Sequence, residues 1–381
     1  MVAAFHVGKV PPDLPSIRSD LGASLRQAGW LLSTVNLITA VSGMAIAVTA
    51  DRLGHRRLVL IGTAVCLIAS LCSAFAGRVE TLLIGRVFEG LGFIAVVVAL
   101  PPLLLRILAP RDQRLGMSWW STYMPAGAGG MMLVVALLPA GTSWRVAWLA
   151  AAGASAIMLA ALLVFALPRR ELDRTNVARR PVVSEMLEVA TSPGPLAIAI
   201  CFGAYSCCWF AVIGFLPTLM VERSGFATST AAIIAATVTI VNVLGNLAAG
   251  WLLHRGVPRV AVIVGASLST AICTVGIFSD ALPDLMRLVL AGLYSAVIGA
   301  VAASLFAAVP VHAGRPQLVG AATGLLMQGS NIGALLGPPI TAALVSAGGW
   351  PAAGWLTGMA LLIVAGSGVF LHRRERRKLV P

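Results

Sequence analysis

The residues from 47 to 57 read AVTADRLGHRR, and they stand between two long apolar runs. Gly54 permits a tight reversal of the chain, and Asp51 can face a helix N-terminus or an arginine. A charged reversal between two apolar runs is typical of a short loop that joins two membrane-spanning helices. The loop is held at a polar surface by its three arginines, Arg52, Arg56 and Arg57.

Apolar runs fill the rest of the chain as well. Of its 381 residues, 59% are hydrophobic and only 11% are charged. Since a soluble domain has about 25% charged residues, most of this chain needs an apolar solvent. One spanning helix takes about 20 apolar residues, and a tight connection takes roughly ten more, so the length allows about twelve spans.

Charged or Pro/Gly-rich breaks separate the apolar runs and predict where the spans lie. Spans 2 to 12 are expected at residues 28–50, 58–76, 82–105, 115–138, 144–167, 195–220, 228–253, 260–278, 285–309, 318–347 and 352–371. Span 1 has only residues 1–14, interrupted by Lys9, Pro11 and Pro12, which is too short to cross a bilayer. We therefore expect about ten residues of this span to be missing ahead of Met1.

The chain also repeats itself. His254-Arg255 follows Asp51-Arg52 by 203 residues, and Arg287 follows Arg86 by 201. An internal repeat is typical of transporters built from two related halves. The sequence therefore predicts two pseudo-symmetric six-helix bundles, at residues 1–167 and 195–371. A cytoplasmic loop at residues 168–194 joins them, and a basic cytoplasmic tail follows at residues 372–381.

The net charge of +13 is distributed unevenly between the connections. With an even number of crossings, 19 of the 27 Lys and Arg residues fall on one side, six fall on the other, and two lie within spans. The positive-inside rule then places both termini in the cytoplasm. A nucleic-acid partner is not expected, because these basic residues sit in short loops and not on a soluble face.

Residues 47–57 resemble the loop motif G-x-L-x-D-R-x-G-R-[KR] of the major facilitator superfamily. Ala47 replaces the first glycine of the motif, and His55 replaces a basic residue. In that family the loop latches the cytoplasmic gate, so the resemblance implies a gating role for Asp51, Arg52, Gly54, Arg56 and Arg57. The alternative is an ordinary cytoplasmic loop. The second-half copy, residues 250–256, has lost the acid.

Predicted span 4 carries RVFEGLG at residues 86–92, which resembles the family motif R-x-x-Q-G-x-G with Glu89 in place of the glutamine. Arg86 and Glu89 are one helical turn apart and can pair. Ionisable residues inside a span are costly, so both are functional candidates. The alternatives are a purely structural ion pair and an arginine that reaches the outer headgroups.

His6 and Lys9 lie in the short first span. If the helix of span 1 ends outside near Ile17, Lys9 lies roughly 12 Å below that end at 1.5 Å per residue. If span 4 enters from outside near Thr81, Arg86 lies roughly 8 Å below that point. The resemblance implies that spans 1, 4, 7 and 10 line a central cavity, where a cationic layer suits a small anion. His6, Lys9 and Arg86 are the substrate-binding candidates in this layer. Glu89 and His6 are the proton-carrier candidates. The alternative is that Lys9 snorkels to water.

Weaker candidates lie in other spans. Tyr205 and Trp209 in span 7, and Gln328 and Asn331 in span 11, are possible substrate contacts, although packing or lipid contact also explains such residues. Gly337 and Pro338 in span 11 are gating candidates, because glycine allows close approach and proline lets a helix bend. The residues around Pro125 in span 5 weakly resemble a motif that is associated with antiporters.

These observations predict an all-α polytopic protein of a bacterial inner (plasma) membrane, monomeric, without metal or cofactor. There is no phosphate-binding GxxxxGK[ST] loop and no catalytic cluster, so we expect neither an ATP-driven pump nor an enzyme. The favoured function is proton-coupled uptake of a small anionic metabolite, since spans 1 and 5 look similar to those of cyanate and related anion porters. Proton-antiport efflux of drugs or metabolites and a non-transporting sensor with a transporter fold are the alternatives.

Overall fold

A computed structural model describes residues 1–37, 39–41, 54–107, 109, 123–139, 141–164, 182–315 and 318–379. Within these ranges every regular element is a helix. The first seven helices are α1 Val2–Gly8, α2 Val10–Leu21, α3 Leu25–Ser33, α4 His55–Ala74, α5 Val79–Ile107, α6 Tyr123–Ala136 and α7 Arg145–Val164. The others are α8 Val182–Thr191, α9 Pro193–Ser224, α10 Thr228–His254, α11 Arg259–Phe278, α12 Asp284–His312, α13 Val319–Gly348 and α14 Trp350–Leu379.

Nine of the described helices are long and apolar enough to cross a membrane, namely α4, α5, α7 and α9 to α14. A further helix, α6, is apolar but shorter, and it adjoins residues outside the described ranges. From α4 onward, most of the ends that the structure describes lie within a few residues of the predicted spans, and α14 extends further than expected. The prediction of an all-α, multi-span protein is therefore confirmed for the described part of the chain.

The first span differs from its prediction. It consists of two helices that meet at Lys9, and the second of them continues to Leu21. The prolines do not end the helix because Pro11 and Pro12 lie in the first turn of α2, where a missing backbone N–H costs no hydrogen bond. Gly22 then stops the helix with a φ of 63°, which glycine adopts without strain.

The central segment 168–194 also differs, since we expected only a polar loop there. Its last part forms the helix α8. The helix is amphipathic: Val189 is buried, whereas the neighbouring Glu188 forms an ion pair with Arg315.

The chain divides into two compact units, each described here by itself. Unit 1 comprises Met1–Arg179 and Phe226–Ala236, and unit 2 comprises Arg180–Gly225 and Thr237–Pro381.

The same close packing recurs in both units. In unit 1, a Cβ atom placed on Gly127 of α6 would lie 2.5 Å from the carbonyl oxygen of Met1. In unit 2, 202 residues further on, a Cβ atom on Gly329 of α13 would lie 2.2 Å from the carbonyl oxygen of Ala199. Small residues that let helix backbones touch are the usual means of packing helices in membranes. The internal repeat is thus visible in backbone contacts.

Candidate functional site

Four of the predicted site residues meet in the interior of unit 1. His6, Lys9, Arg86 and Glu89 are each 0% exposed. His6 comes from α1, Lys9 from the junction of α1 and α2, and the other two from α5. We call these four residues the ionic cluster.

Lys9 is held by three kinds of contact. Its Nζ donates to Glu89 Oε1 at 2.5 Å and to the Ser70 hydroxyl at 2.7 Å. The ammonium also lies 4.5 Å from the ring centroid of Trp148, a favourable cation–π position. Lys9 therefore does not snorkel to a surface.

Arg86 binds the carboxylate and the ends of two short helices. Its Nη1 donates to Glu89 Oε2 and to the carbonyl of His6, both at 2.5 Å, and its Nε donates to the carbonyl of Leu31 at 3.1 Å. These carbonyls lie in the last turns of α1 and α3, where backbone oxygens lack intrahelical partners and carry partial negative charge. The side chain is therefore not at the headgroups.

One nitrogen of Arg86 remains open. Its Nη2 is buried and has no hydrogen-bond partner in the part of the chain that the structure describes. A buried guanidinium N–H without an acceptor costs free energy. It is therefore a place where a further acceptor would be stabilised.

The hydroxyl group of Ser155 fixes the orientation of His6. Ser155 donates its only hydroxyl proton to the carbonyl of Ala151 at 2.9 Å, so its oxygen accepts from His6 Nε2, 3.0 Å away. A neutral His6 then presents the Nδ1 lone pair, which is 3.5 Å from Lys9 Nζ. Neutral His6 thus fits beside the lysine without adding charge.

With His6 neutral, the cluster holds two cations and one carboxylate and has a formal charge of +1. Charges buried in a membrane protein cost several kcal/mol unless they are paired and hydrogen-bonded. The bonds to Glu89, Ser70 and two helix ends offset this cost for the charges present. The remaining positive charge makes the cluster attractive to an anion.

Sequence reasoning missed Ser70, Trp148 and Ser155 as contributors to this site. Each lies in an apolar run, and the two serines look like small filler there. The Leu31 carbonyl was equally hidden, since its availability depends on where α3 ends. No sequence signal marks these groups.

The other predicted substrate contacts lie in unit 2. Tyr205 and Trp209 are buried in α9, where their rings pack on Phe202 and Phe210 with centroids 5.2 and 5.0 Å apart. In α13 the Asn331 amide donates to the carbonyl of Met327 at 2.7 Å. The predicted contact Gln328 precedes Asn331 by one turn in the same helix.

The gating candidates are only partly described. Asp51 and Arg52 lie outside the described residues. Gly54 precedes α4 with a φ of 88°, which favours glycine. Four candidates remain. In the loop, Arg56 is part-buried and Arg57 is exposed, and in span 11 both Gly337 and Pro338 lie inside the continuous helix α13.

Gly337 sits where α13 crosses α9. A Cβ atom at this position would lie 2.8 Å from the carbonyl oxygen of Cys207. Close packing is therefore one role that the structure gives this glycine. Within the described ranges, no group of three or more His, Cys, Asp or Glu side chains is arranged to hold a metal ion.

Comparison with known proteins relates the whole chain to transporters. It is 23% identical over 358 residues to the 3-(3-hydroxy-phenyl)propionate transporter of Escherichia coli K12, covering 93% of this chain and 87% of that protein. A shorter match, to the multidrug export protein EmrB of Haemophilus influenzae, is 31% identical over 108 residues and covers 28% of this chain and 21% of that protein.

Solved structures share the fold. A bacterial homologue of the human lysosomal transporter Spinster, in an inward-facing and unoccupied conformation, superposes with a TM-score of 0.81 at 15% identity, covering 98% of this chain and 95% of the other. The family model of the Major Facilitator Superfamily matches residues 1–315 and 227–381. The chain therefore belongs to the Major Facilitator Superfamily.

Proposed function

We propose that this protein takes up a small organic anion together with a proton, and that the anion binds to Lys9 and Arg86. Family membership makes the chain a multi-span membrane transporter and not an enzyme. The observation that carries the proposal is the ionic cluster itself: two fully buried cations converge on one carboxylate. A hydrophobic interior holds such an excess of positive charge only at a high cost, which a bound anion relieves.

An anion that enters a membrane site loses its hydration. Charge-assisted hydrogen bonds from an ammonium and a guanidinium replace that hydration best. The unpartnered Nη2 of Arg86 supports this reading, because it offers a donor that the protein leaves unused in its described part. Glu89 and His6 are the proposed proton carriers, since they are the members of the cluster that titrate nearest to neutral pH when unperturbed.

The relative that matches 93% of this chain supports a carboxylate as the transported anion. The E. coli protein that matches 93% of this chain is named for 3-(3-hydroxy-phenyl)propionate, which is a carboxylate with an uncharged ring. On this basis we propose the unit 2 residues as contacts for the uncharged part of a substrate, through rings and amides: Tyr205, Trp209, Gln328 and Asn331.

Drug or metabolite efflux by proton antiport is the second candidate. The match to a multidrug export protein favours it, but that match covers 28% of the chain. A lipophilic cation would also be repelled by the positive cluster. A sensor that does not transport is the third candidate, and any measured flux excludes it.

The deciding experiment is uptake into proteoliposomes with an imposed pH gradient. The test carboxylate is 3-(3-hydroxyphenyl)propionate, and the variants are Lys9→Ala and Arg86→Ala, compared at equal protein content. Loss of one charge-assisted donor is worth about 1.5–3 kcal/mol, so each variant should raise the apparent KM roughly ten- to a hundredfold. Arg78→Ala is the matched control because Arg78 is exposed at the start of α5.

Two results would refute the proposal. Normal carboxylate uptake by both cation variants would show that neither cation binds the anion. Loss of ethidium export in these variants, with no carboxylate transport by the wild type, would replace uptake with efflux.

We also propose a bacterial inner-membrane location with both termini cytoplasmic, on the basis of the 19-to-6 charge asymmetry. We propose the loop at residues 51–57 and the pair Gly337-Pro338 in α13 as gating elements. We propose that the protein functions as a monomer. Reporter fusions at Asp173 and after Leu371 test the orientation. A periplasmic signal at either place would contradict it.

A further inference from the structure

The two cations of the ionic cluster are already occupied. Glu89 uses one carboxylate oxygen for each of them: Oε1 lies 2.5 Å from Lys9 Nζ, and Oε2 lies 2.5 Å from Arg86 Nη1. All three side chains are 0% exposed. An entering anion would therefore find Lys9 Nζ and Arg86 Nη1 already bound to the protein's own carboxylate, with Arg86 Nη2 as the open donor.

The surroundings of Glu89 contain no second acid among the described contacts. On α1, the groups that face it are His6, with Nδ1 3.5 Å from Oε1, and then Lys9 at the end of that helix. On α4, the Cys66 thiol points to the backbone carbonyl of Glu89, with Sγ 3.6 Å from the oxygen. On its own helix, α5, the facing group is Arg86. Glu89 is thus the acid that pairs with both cations.

We propose that Glu89 is an internal stand-in for the transported anion, and that the anion displaces it only when Glu89 takes up a proton. This inference rests on the proposed anion site. The proton adds to one carboxylate oxygen of Glu89, and the neutral acid is a weaker acceptor for cations. At least one of the two cations then becomes free for the substrate carboxylate.

Charge balance supports this exchange. The empty cluster has a formal charge of +1, from two cations and one carboxylate. With a protonated Glu89 and one bound anion the charge is again +1. A buried site that keeps its charge avoids a large change in desolvation cost between its empty and loaded forms. Binding of the anion without a proton would instead place two carboxylates against the same cations, and two like charges at close range disfavour each other.

The linkage has a definite sign. If the loaded state holds one more proton than the empty state, anion affinity rises as the pH falls, by up to tenfold per pH unit. Removing the carboxylate should remove the competition. Glu89→Gln should therefore bind the anion more tightly than wild type at high pH, although Glu89 lies in the site.

The test is calorimetric titration of purified full-length protein in detergent with 3-(3-hydroxyphenyl)propionate at pH 6, 7 and 8. Paired buffers of different ionisation enthalpy give the number of protons taken up. We expect about one proton per anion for wild type. Glu89→Gln should take up none, show a pH-independent Kd, and bind at least about tenfold more tightly at pH 8. Glu80→Gln, an exposed carboxylate at the start of the same helix, should behave as wild type.

Each outcome decides something. Wild-type binding without proton uptake, or weaker binding by Glu89→Gln at pH 8, overturns the stand-in role. If Glu89→Gln does not fold, His6→Asn decides: retained proton uptake supports Glu89 as the acceptor, and lost uptake assigns the proton to His6 and overturns the proposal. Binding that Lys9→Ala and Arg86→Ala leave unchanged refutes the anion site itself, whereas binding that needs both cations but no proton refutes only the stand-in.

Discussion

The two units share a backbone arrangement but differ in the chemistry of their interiors. Arg86 and Arg287 are 201 residues apart, yet Arg86 lies seven residues inside α5, about 10 Å from its start, and Arg287 only three residues inside α12, about 4.5 Å. Arg86 pairs with an acid further into its helix and is fully buried. Arg287 pairs with Asp284, the first residue of its helix, which is 42% exposed.

Apart from Arg287 and His312, which pair with partly exposed acids, the buried polar side chains described in unit 2 are neutral. Asn242 donates to the carbonyl of Ser295 at 3.2 Å, and the Ser206 and Ser330 hydroxyls are 2.7 Å apart. The glycine contacts at Gly127 and Gly329 nevertheless match. Both units have close backbone contacts that leave no room for an added atom, whereas their interior side chains differ. One half of the molecule consequently offers an ionic site and the other offers neutral hydrogen bonds and rings.

The largest expected effect comes from removing the shared carboxylate. Glu89→Ala leaves two buried cations without their carboxylate and should cost about 3–5 kcal/mol of the free energy of unfolding. Asn242→Ala removes a neutral hydrogen bond and should cost about 1 kcal/mol. Denaturant titration in mixed micelles measures both. The double variant Lys9→Met/Glu89→Ala returns the cluster to its original net charge and should recover part of the loss. Equal losses in the two single variants would erase the contrast between the units.

A smaller effect, alike in both units, is expected at the glycine contacts. Gly127→Ala and Gly329→Ala each place a Cβ atom within 2.5 Å of a backbone oxygen, so the helices must separate. Each should cost about 1–3 kcal/mol by the same unfolding measurement. Gly130→Ala and Gly250→Ala are controls, because a Cβ atom there meets nothing within 4 Å. A cost in only one unit would mean that the shared packing matters in only one of them.

The smallest effects are expected at the loops. The first loop carries Asp51, whereas its second-half copy has His254 at the corresponding position. In unit 2, an acid from another helix, Glu375 of α14, contacts basic residues near this loop. Glu375 Oε1 lies 3.1 Å from both Arg259 and His312 and is 20% exposed. Asp51→Asn and Glu375→Gln should each slow carboxylate flux several-fold, with a change in stability below about 1 kcal/mol. Flux equal to that of Glu80→Gln would leave these acids without a gating role.

Much of the cluster follows from spacing alone. Arg86 and Glu89 are one turn apart, and counting residues from the ends of two spans puts Lys9 at a similar depth. The contacts of the Ser70 and Ser155 hydroxyls could not be foreseen, because the apolar residues around each serine show no periodicity that would indicate which face of the helix it lies on. The continuation of α2 past Pro11 and Pro12 could not be foreseen, because the break at Lys9 is what places these two prolines in a first turn.

The junction at Lys9 has a consequence for how the protein is made. Residues 2–21 contain a lysine, an aspartate at Asp13 and three prolines, so this segment is a poor substrate for insertion into lipid on its own. Its ammonium and the carbonyl of His6 find their partners on α5, at residues that are synthesised 80 positions later. We therefore expect this segment to be stably inserted in the bilayer only after α5 has been synthesised.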